Sequence, residues 1–356
     1  MSKFNVLIAG STGYIGIELI KILLNHKNVN IKYLCGKNSI GKKISFFEKS
    51  LSSKKLPKIT KYNKRYLQNV DVLFTALPNG EAQEISKLIN KNNILIDIAA
   101  DFRLDTAFEY SKWYKLKHKA PNNISKSIYS LPEFTSDKIK KYNIISCPGC
   151  YPTSILLPLI PIIKKNMINL NNIIIDSKSG YSGAGRGVHK KYQGKNLYNS
   201  IKAYGVGFHR HNSEIDQEIK KIIKKKILNI TFTPHLAPMF KGILSTIYIE
   251  TKKNFSLNHI NDVLKKTFKK SKFVSVKKIN TFISTNDVIN TNNCHISVCK
   301  TKYKNKFIIL SAIDNLIKGG SGQAVQNMNI RLGLPENRGL LWKKYLFCFS
   351  YYLLIH

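Results

Sequence analysis

The sequence predicts an α/β protein, in which a doubly wound parallel sheet is followed by a second, α+β domain. Three observations carry this. Short apolar β-type runs alternate with helical patterns over residues 6–98. A glycine-rich turn joins the first such run to the first helical pattern. Beyond residue 150 strand-like runs dominate, with few helices between them, which suggests a mostly antiparallel sheet covered by helices on one face.

The elements follow in order. Residues 6–9 (VLIA) read as a strand and 17–24 (IELIKILL) as a helix. Residues 31–34 are a second strand, and 72–76 a third, stopped by Pro78. Residues 81–90 are helical, and 94–98 (ILIDI) form another buried-type strand. Residues 38–66, rich in Lys and Ser with weak periodicity, read as a surface excursion. In the second half an apolar run covers 155–163. Strand-like runs lie at 173–175, 242–249, 294–299 and 307–311, and helical patterns at 213–225 and 257–268. No internal repeat is visible. The tail 341–356 is aromatic and apolar without a clear period.

Composition narrows the function classes. The 356 residues fit two domains at roughly 100–200 residues each. Apolar residues at 43% and charged residues at 22% exclude disorder and collagen-like structure. The longest apolar-rich stretch, 345–355, falls short of the ~17–25 residues of a membrane-spanning helix. No basic-then-apolar leader precedes the first strand, so a cytoplasmic protein without a membrane partner is expected. Six cysteines do not make a disulfide framework. The net charge of +38 invites a nucleic-acid reading, but only six of the 58 basic residues are Arg. Base readout relies on clustered Arg, Asn and Gln, and the lysines here are scattered. Lys, Asn and Ile enrichment reads as codon drift. Weak, salt-sensitive polyanion binding is expected, not a specific nucleic-acid partner.

Gly10, Ser11, Thr12, Gly13, Tyr14, Ile15 and Gly16 lie between the first strand and first helix. Gly10 permits a tight turn, Gly13 lets backbone approach a pyrophosphate, and Gly16 lets the helix pack on the strand. The spacing is G-x-x-G-x-x-G rather than G-x-G-x-x-G, but its placement is that of a Rossmann-like dinucleotide site. No Asp or Glu follows the second strand to hold a ribose 2′-OH. Lys37, with Lys42 and Lys43 nearby, suits a 2′-phosphate, so NADP(H) is expected over NAD.

Residues 146–153 (SCPGCYPT) place Cys150 at a helix start, with Pro152 in the first turn. A helix N-terminus stabilises thiolate, which makes Cys150 a candidate nucleophile. The Cys147–Cys150 spacing also admits a dithiol or, with Cys294, His295 and Cys299, a zinc site. No second C-x-x-C exists, and no metal is expected. Cys35, Cys294, Cys299 and Cys348 read as buried and inert. His209, Arg210, His211 and Glu214 open a helical stretch that Asn212 or Ser213 caps. An extended segment there points His209 and His211 oppositely, so one of them reaches the thiol as its proton partner. Residues 179–187 (SGYSGAGRG) form a loop able to bring backbone against a flat ligand or an anion.

Residues 10–16, 97–104 (DIAADFRL), 131–134 (LPEF), 148–153 (PGCYPT), 179–186 (SGYSGAGR), 209–214 (HRHNSE), 234–239 (PHLAPM) and 314–329 (DNLIKGGSGQAVQNMN) occur in this order. The series resembles the N-acetyl-gamma-glutamyl-phosphate reductases of the semialdehyde dehydrogenase superfamily. The resemblance implies NADPH-dependent reduction of N-acetyl-L-glutamyl 5-phosphate to the 5-semialdehyde, with phosphate release through a cysteine thioester, in arginine biosynthesis. It implies Cys150 as nucleophile and His211, ahead of His209, as acid/base. Ser182 and Gly183 would lie beside the nicotinamide and Asn315 on the cofactor. Arg210, Arg186 and Glu214 are then the candidates for the anionic substrate. The implied division is a cofactor domain from 1–149 and 315–342, a catalytic and dimerisation domain over 150–314, and a tail 343–356 beyond the family's usual end. A homodimer or homotetramer is implied. Cys147 lies outside the pattern and is a candidate disulfide partner for Cys150. Two other readings stand. One is a related aspartyl or aminoadipyl phosphate reductase, since one methylene is worth only ~1–3 kcal/mol. The other is a basic nucleic-acid-binding protein on a nucleotide fold.

Overall fold

The computed structural model describes residues 3–186, 199–223, 229–252 and 255–340. The first sheet holds seven strands: β1 (Phe4–Ala9), β2 (Val29–Cys35), β3 (Ile59–Thr60), β4 (Val72–Thr75), β5 (Ile94–Asp97), β6 (Ser127–Tyr129) and β7 (Ile144–Ser146). Their order is β3-β2-β1-β4-β5-β7-β6 and every pairing is parallel. β4 and β5 are buried throughout, as their unbroken apolar sequences require when helices cover both faces. Alternation divides β1 between two layers. Val6 and Ile8 join one core with Leu19 and Ile20 of α1 (Tyr14–Leu24), while Leu7 and Ala9 join another with Ile85 of α2 (Glu81–Ser86). The chain reverses direction between β2 and β4 around β1. That switch point opens a crevice at the carboxyl ends of the strands.

Two short helices, α3 (Ala107–Tyr114) and α4 (Pro132–Thr135), flank the crevice side, and α5 (Cys150–Lys164) leaves it directly after β7. The second sheet contains β8 (Ile173–Gly180), β9 (Lys202–Ala203), β10 (Ile230–Ala237), β11 (Ile243–Glu250), β12 (Val274–Val276), β13 (Cys294–Lys300) and β14 (Lys306–Ile313). Its order is β12-β13-β14-β11-β8-β10-β9, and four of the six pairings are antiparallel. Helix α5, α6 (His211–Ile223) and α7 (Leu257–Phe268) pack on one face around Ile155, Leu159, Ile247 and Ile309. On the other face Ile174 and Tyr248 stay exposed. The chain then returns to the first sheet. A π-helical turn, Ile317–Ser321, leads into α8 (Gly322–Arg331), whose Val325 and Met328 share the core of α1.

Some expectations need correction. Residues 38–66 are more than a surface excursion: Ile44, Leu51 and Ile59 are buried, and β3 adds an edge strand. The helix expected to reach residue 90 stops at Ser86. The helix expected from 213 starts at His211, and its expected last residues, 224–225, lie outside the described residues, as do Cys348 and the tail. Strand β10 went unread, because Pro234 and its alternating Thr residues hide it.

One buried ion pair ties the returning chain to α4. Lys318, in the π-turn, is fully buried and donates to Glu133 Oε1 (2.6 Å) and Gln326 Oε1 (3.0 Å). Glu133 belongs to α4 and is itself buried. Removing one partner leaves the other charge stranded, whereas removing both does not. Lys318→Met is therefore expected to lower stability by ~3–5 kcal/mol in urea denaturation. The double variant Lys318→Met/Glu133→Gln is expected to recover part of that loss. A double variant as unstable as the single one would contradict this account.

Candidate active site

The glycine turn is shaped by close approaches. Gly10 has φ +87°, and a Cβ there would fall 2.1 Å from the Ala76 carbonyl oxygen. A Cβ on Gly16 would fall 2.3 Å from the Gly10 carbonyl oxygen. Gly13, in contrast, meets nothing nearer than 3.6 Å, so its bare backbone faces open space at the head of α1. No side chain caps that helix, and its first turn holds no acid. Its free N–H groups form the cradle a pyrophosphate needs, so the residues present fit a dinucleotide. Ser11 is anchored rather than free, donating to the Cys35 carbonyl (3.1 Å). Lys37 is exposed beyond the end of β2 and pairs with Glu81 (2.6 Å).

Cys150 lies at the carboxyl edge of the same sheet. Gly149 caps α5, and its N–H donates to Glu214 Oε2 (2.8 Å). A Cβ on Gly149 would fall 2.4 Å from His211 Nε2, so the imidazole rests directly on the residue before Cys150. From the other side, a Cβ on Gly319 would fall 2.5 Å from Cys150 Cβ. Its neighbour Gly320 faces the Ile15 side chain, with hypothetical contacts at 3.5 and 3.6 Å. A single π-turn thus separates the nucleophile candidate from the dinucleotide turn.

A buried guanidinium organises this edge. Arg103 Nε donates to the Cys147 carbonyl (2.8 Å), Nη2 to the Ile98 carbonyl (3.1 Å) and Nη1 to Glu214 Oε1 (3.0 Å). The loop that carries it turns sharply at Ala100, φ +86°. Asp97 holds the turn by accepting from the N–H groups of Ala99 (2.9 Å) and Asp101 (2.8 Å). Glu214 is fully buried, and besides Arg103 and Gly149 it accepts from the Tyr129 hydroxyl (3.1 Å). That corrects its expected substrate contact: its oxygens are occupied by protein, and it orients instead. Sequence reasoning quoted Arg103 only inside a motif. A lone Arg between the apolar Phe102 and Leu104 was the available signal.

The histidines also depart from expectation. They do not point apart, because the helix already begins at His211. The two rings lie 4.7 Å apart, and each is 5.7 Å from the Tyr151 ring. The His211 N–H donates to His209 Nδ1 (3.2 Å). Burial lowers His209 to about 4, helped by Arg210, and burial holds His211 well below its usual value, with His209, Arg103 and Arg210 adding to the effect. Burial thus favours the neutral form of both imidazoles. It works against the charged form of Cys150 as well. Burial pushes its thiol up to about 11, outweighing the opposing pull of Arg103 and the helix-start N–H groups. The expected thiolate-stabilising helix head is present, but desolvation wins.

Other predicted residues form two groups. Asn315 Nδ2 donates to Ser182 Oγ (3.0 Å), and Asn315 Oδ1 accepts from the Gly242 N–H (2.7 Å), with Gly183 packed against the same amide. Arg210 lies over the Tyr114 ring (5.2 Å) at the crevice edge. With the Asn79 amide nitrogen donating to the Ala99 carbonyl, its oxygen accepts from Arg210 Nη1 (2.8 Å). Arg186 is not with Arg210, where a shared substrate role would bring it. Its guanidinium lies 4.8 Å from the Tyr14 ring centroid, on the cofactor turn. Cys147 is fully buried, accepts from Asn327 Nδ2 (3.6 Å), and burial pushes its thiol up to about 12. It carries no disulfide to Cys150. Among the described residues no cluster of three or more His, Cys, Asp or Glu suits a metal, and no helix is long and apolar enough to cross a membrane.

Residues 5–142 match the semialdehyde dehydrogenase NAD binding domain family, and 150–315 the semialdehyde dehydrogenase dimerisation domain family. The N-acetyl-gamma-glutamyl-phosphate reductase of Halothermothrix orenii is 41% identical, covering 94% of this chain and 97% of that protein. Its counterpart in Ehrlichia ruminantium is 41% identical over 97% of this chain and 99% of its own length. The protein named probable N-acetyl-gamma-glutamyl-phosphate reductase, chloroplastic, of Arabidopsis thaliana is 39% identical over 94% of this chain and 83% of its length. Among solved structures, aspartate semialdehyde dehydrogenase II of Vibrio cholerae has a TM-score of 0.70 at 17% identity, covering 94% of this chain and 99% of that one. The Candida albicans enzyme with NADP has a TM-score of 0.63 at 16% identity, covering 92% and 98%. Those two likenesses are of fold.

The raised thiol has a measurable sign. An exposed thiol near ~8.5 loses pH dependence in alkylation once it is ionised. Cys150 of the ligand-free protein is expected to react slowly with iodoacetamide at pH 7 and to keep accelerating through pH 9.5 without a plateau, the modified residue being located by mass. A plateau below pH 9 would show a thiolate at rest.

Proposed function

The chain belongs to the semialdehyde dehydrogenase family, and from that premise we propose that it carries out the reaction its N-acetyl-gamma-glutamyl-phosphate reductase relatives are named for. It reduces N-acetyl-L-glutamyl 5-phosphate to N-acetyl-L-glutamate 5-semialdehyde with release of phosphate, a step of arginine biosynthesis. The observation that carries the chemistry is the lodging of His211 on Gly149, immediately beside Cys150, one glycine turn from the dinucleotide cradle.

Cys150 and His211 start as a neutral pair. His211 takes the thiol proton as Cys150 Sγ bonds to the acyl carbon. The carbon–oxygen bond to phosphate then breaks, phosphate leaves with the proton from the imidazole, and a thioester remains on Cys150. The N–H groups at the start of α5 face the oxyanion that forms on the way. The dinucleotide, when bound, supplies the hydride. As the resulting hemithioacetal oxyanion collapses to the aldehyde, the departing sulfur takes a proton that His211 draws from solvent. Glu214 faces His211 Nε2 at 3.8 Å and steadies the imidazolium while it holds the thiol proton. His209 fixes the His211 backbone and crowds its ring. Arg210, exposed at the crevice edge, is assigned to an anionic group of the substrate.

We assign the coenzyme as NADPH. The end of β2 offers no acid for a ribose 2′-OH, and Lys37 is exposed there to meet a 2′-phosphate. We assign residues 1–149 and 315–342 to the cofactor unit and 150–314 to the catalytic unit, which the shared core of α1 and α8 supports. Assembly as a homo-oligomer is supported by the dimerisation-domain match and by the open sheet face with Ile174 and Tyr248. A reducing, cytoplasmic setting is supported by the five unpaired cysteines of the described residues.

Cys150→Ala is expected to abolish reduction while NADPH binding, followed by fluorescence, is kept; near-normal turnover would remove the covalent mechanism. His211→Ala is expected to slow turnover by about 10²-fold or more with little change in coenzyme affinity. If His209→Ala were inactive and His211→Ala unimpaired, their roles would exchange. Lys37→Glu is expected to weaken NADPH more than NADH, and equal weakening of both would take Lys37 away from the phosphate.

A further inference from the structure

We infer that Arg186 is a coenzyme residue: it clamps the diphosphate bridge of the dinucleotide onto the head of α1, and so ties coenzyme binding to the loop that carries Ser182 and Gly183. The inference rests on the dinucleotide reading above and adds a residue to it.

The first ground is position. Arg186 follows β8 and the short helical turn Tyr181–Ala184. Gly185, with φ +82° and open space around it, reverses the chain there. The reversal carries the guanidinium to 4.8 Å from the Tyr14 ring centroid. Tyr14 is the first residue of α1, and its ring is held edge-on by Phe240 (5.3 Å), which in turn meets Tyr181 (5.3 Å). The aromatic wall fixes both the helix head and the platform on which the guanidinium lies.

The second ground is an unmet need. Arg186 Nε is shielded from solvent and, among the described residues, has no hydrogen-bond partner. Among the described residues Arg186 forms no ion pair, whereas Glu18 on the same helix is taken by Lys21 (3.6 Å) and Lys241 (3.1 Å). A guanidinium carries five donors in a fixed fork and no acceptor. Here it shares its location with the positive end of a helix whose first turn holds no acid. Among the described residues, two positive features converge with no counter-charge between them. An anion with several acceptor oxygens satisfies both, and the diphosphate of a dinucleotide is the anion this turn is shaped for.

The third ground is connectivity. Ser182 is held by Asn315, and four residues along the same loop is Arg186. Four residues span at most about 14 Å. One short loop therefore addresses both the Asn315 cluster and the phosphate end of the coenzyme.

The test is fluorescence titration of NADPH and of NADH into the full chain carrying Arg186→Met, which keeps stacking bulk but not charge. Both dissociation constants are expected to rise by about tenfold or more and by a similar factor, because both coenzymes share the diphosphate. The KM for the acyl phosphate at saturating NADPH is expected to stay within about twofold of wild type, and Arg186→Lys, which keeps charge without the planar fork, to recover part of the affinity. Unchanged coenzyme binding, or a rise confined to the substrate KM, overturns the inference and returns Arg186 to the substrate. Weakening of NADPH alone also overturns it, since that places Arg186 on the 2′-phosphate. Failure of the wild-type chain to bind either coenzyme would instead sink the dinucleotide reading itself.

Discussion

The buried pair of Arg103 and Glu214 is the constraint on which the rest of the site depends. Its members lie 111 positions apart in sequence and join the loop after β5, the end of β7 and the start of α6. A buried ion pair is weak evidence of stability, because desolvation offsets most of the attraction. What this one does is geometric. Each other nitrogen of Arg103 and each oxygen of Glu214 is committed to backbone or side chain around Cys150 and His211. Loosening either residue would release the Gly149 N–H, the Cys147 carbonyl and the position of the His211 ring together.

The same burial that makes the pair rigid sets the resting state of the chemistry. A helix start and a nearby guanidinium both favour thiolate, yet removing water from Cys150 outweighs them. His211 is driven the opposite way by the same desolvation. The two shifts reinforce each other: a neutral imidazole is able to accept a proton, and a neutral thiol has one to give. The nucleophile is then made only when an acyl group lies within reach. A permanently ionised, accessible thiolate would be open to oxidation, which follows thiolate character and exposure.

Much of the scaffold was legible in the residues. Unbroken apolar runs such as ILID at β5 signal a strand covered on both faces, and a glycine turn between strand and helix signals the dinucleotide cradle. Cys150 was placed at a helix head by Pro152 two positions on. The rest was not legible, for physical reasons. Charge states depend on burial and on partners far along the chain, so a helix head alone did not give the state of the thiol. Strand β10 was hidden because Pro234 and threonines mask its period. The direction of Arg186 depends on a positive φ at Gly185, which composition does not reveal. Glu214 was read as a substrate candidate opening a helix, and only the arrival of Arg103 explains why it is buried.

The π-turn Ile317–Ser321 explains how two distant motifs come to act on one crevice. An α-helical turn places side chains evenly around its axis; the wider π-turn puts Gly319 and Gly320 against different neighbours. A side chain on Gly319 would drive into Cys150, and a Cβ on Gly320 would just reach the Ile15 side chain at contact distance, so any side chain at the first and bulk beyond a methyl at the second would crowd the cradle and the nucleophile. Lys318, between Ile317 and this glycine pair, is locked to Glu133, which removes the freedom that glycines would otherwise bring. The separation between coenzyme turn and sulfur is therefore set by backbone thickness alone, and a buried charge keeps that backbone from drifting.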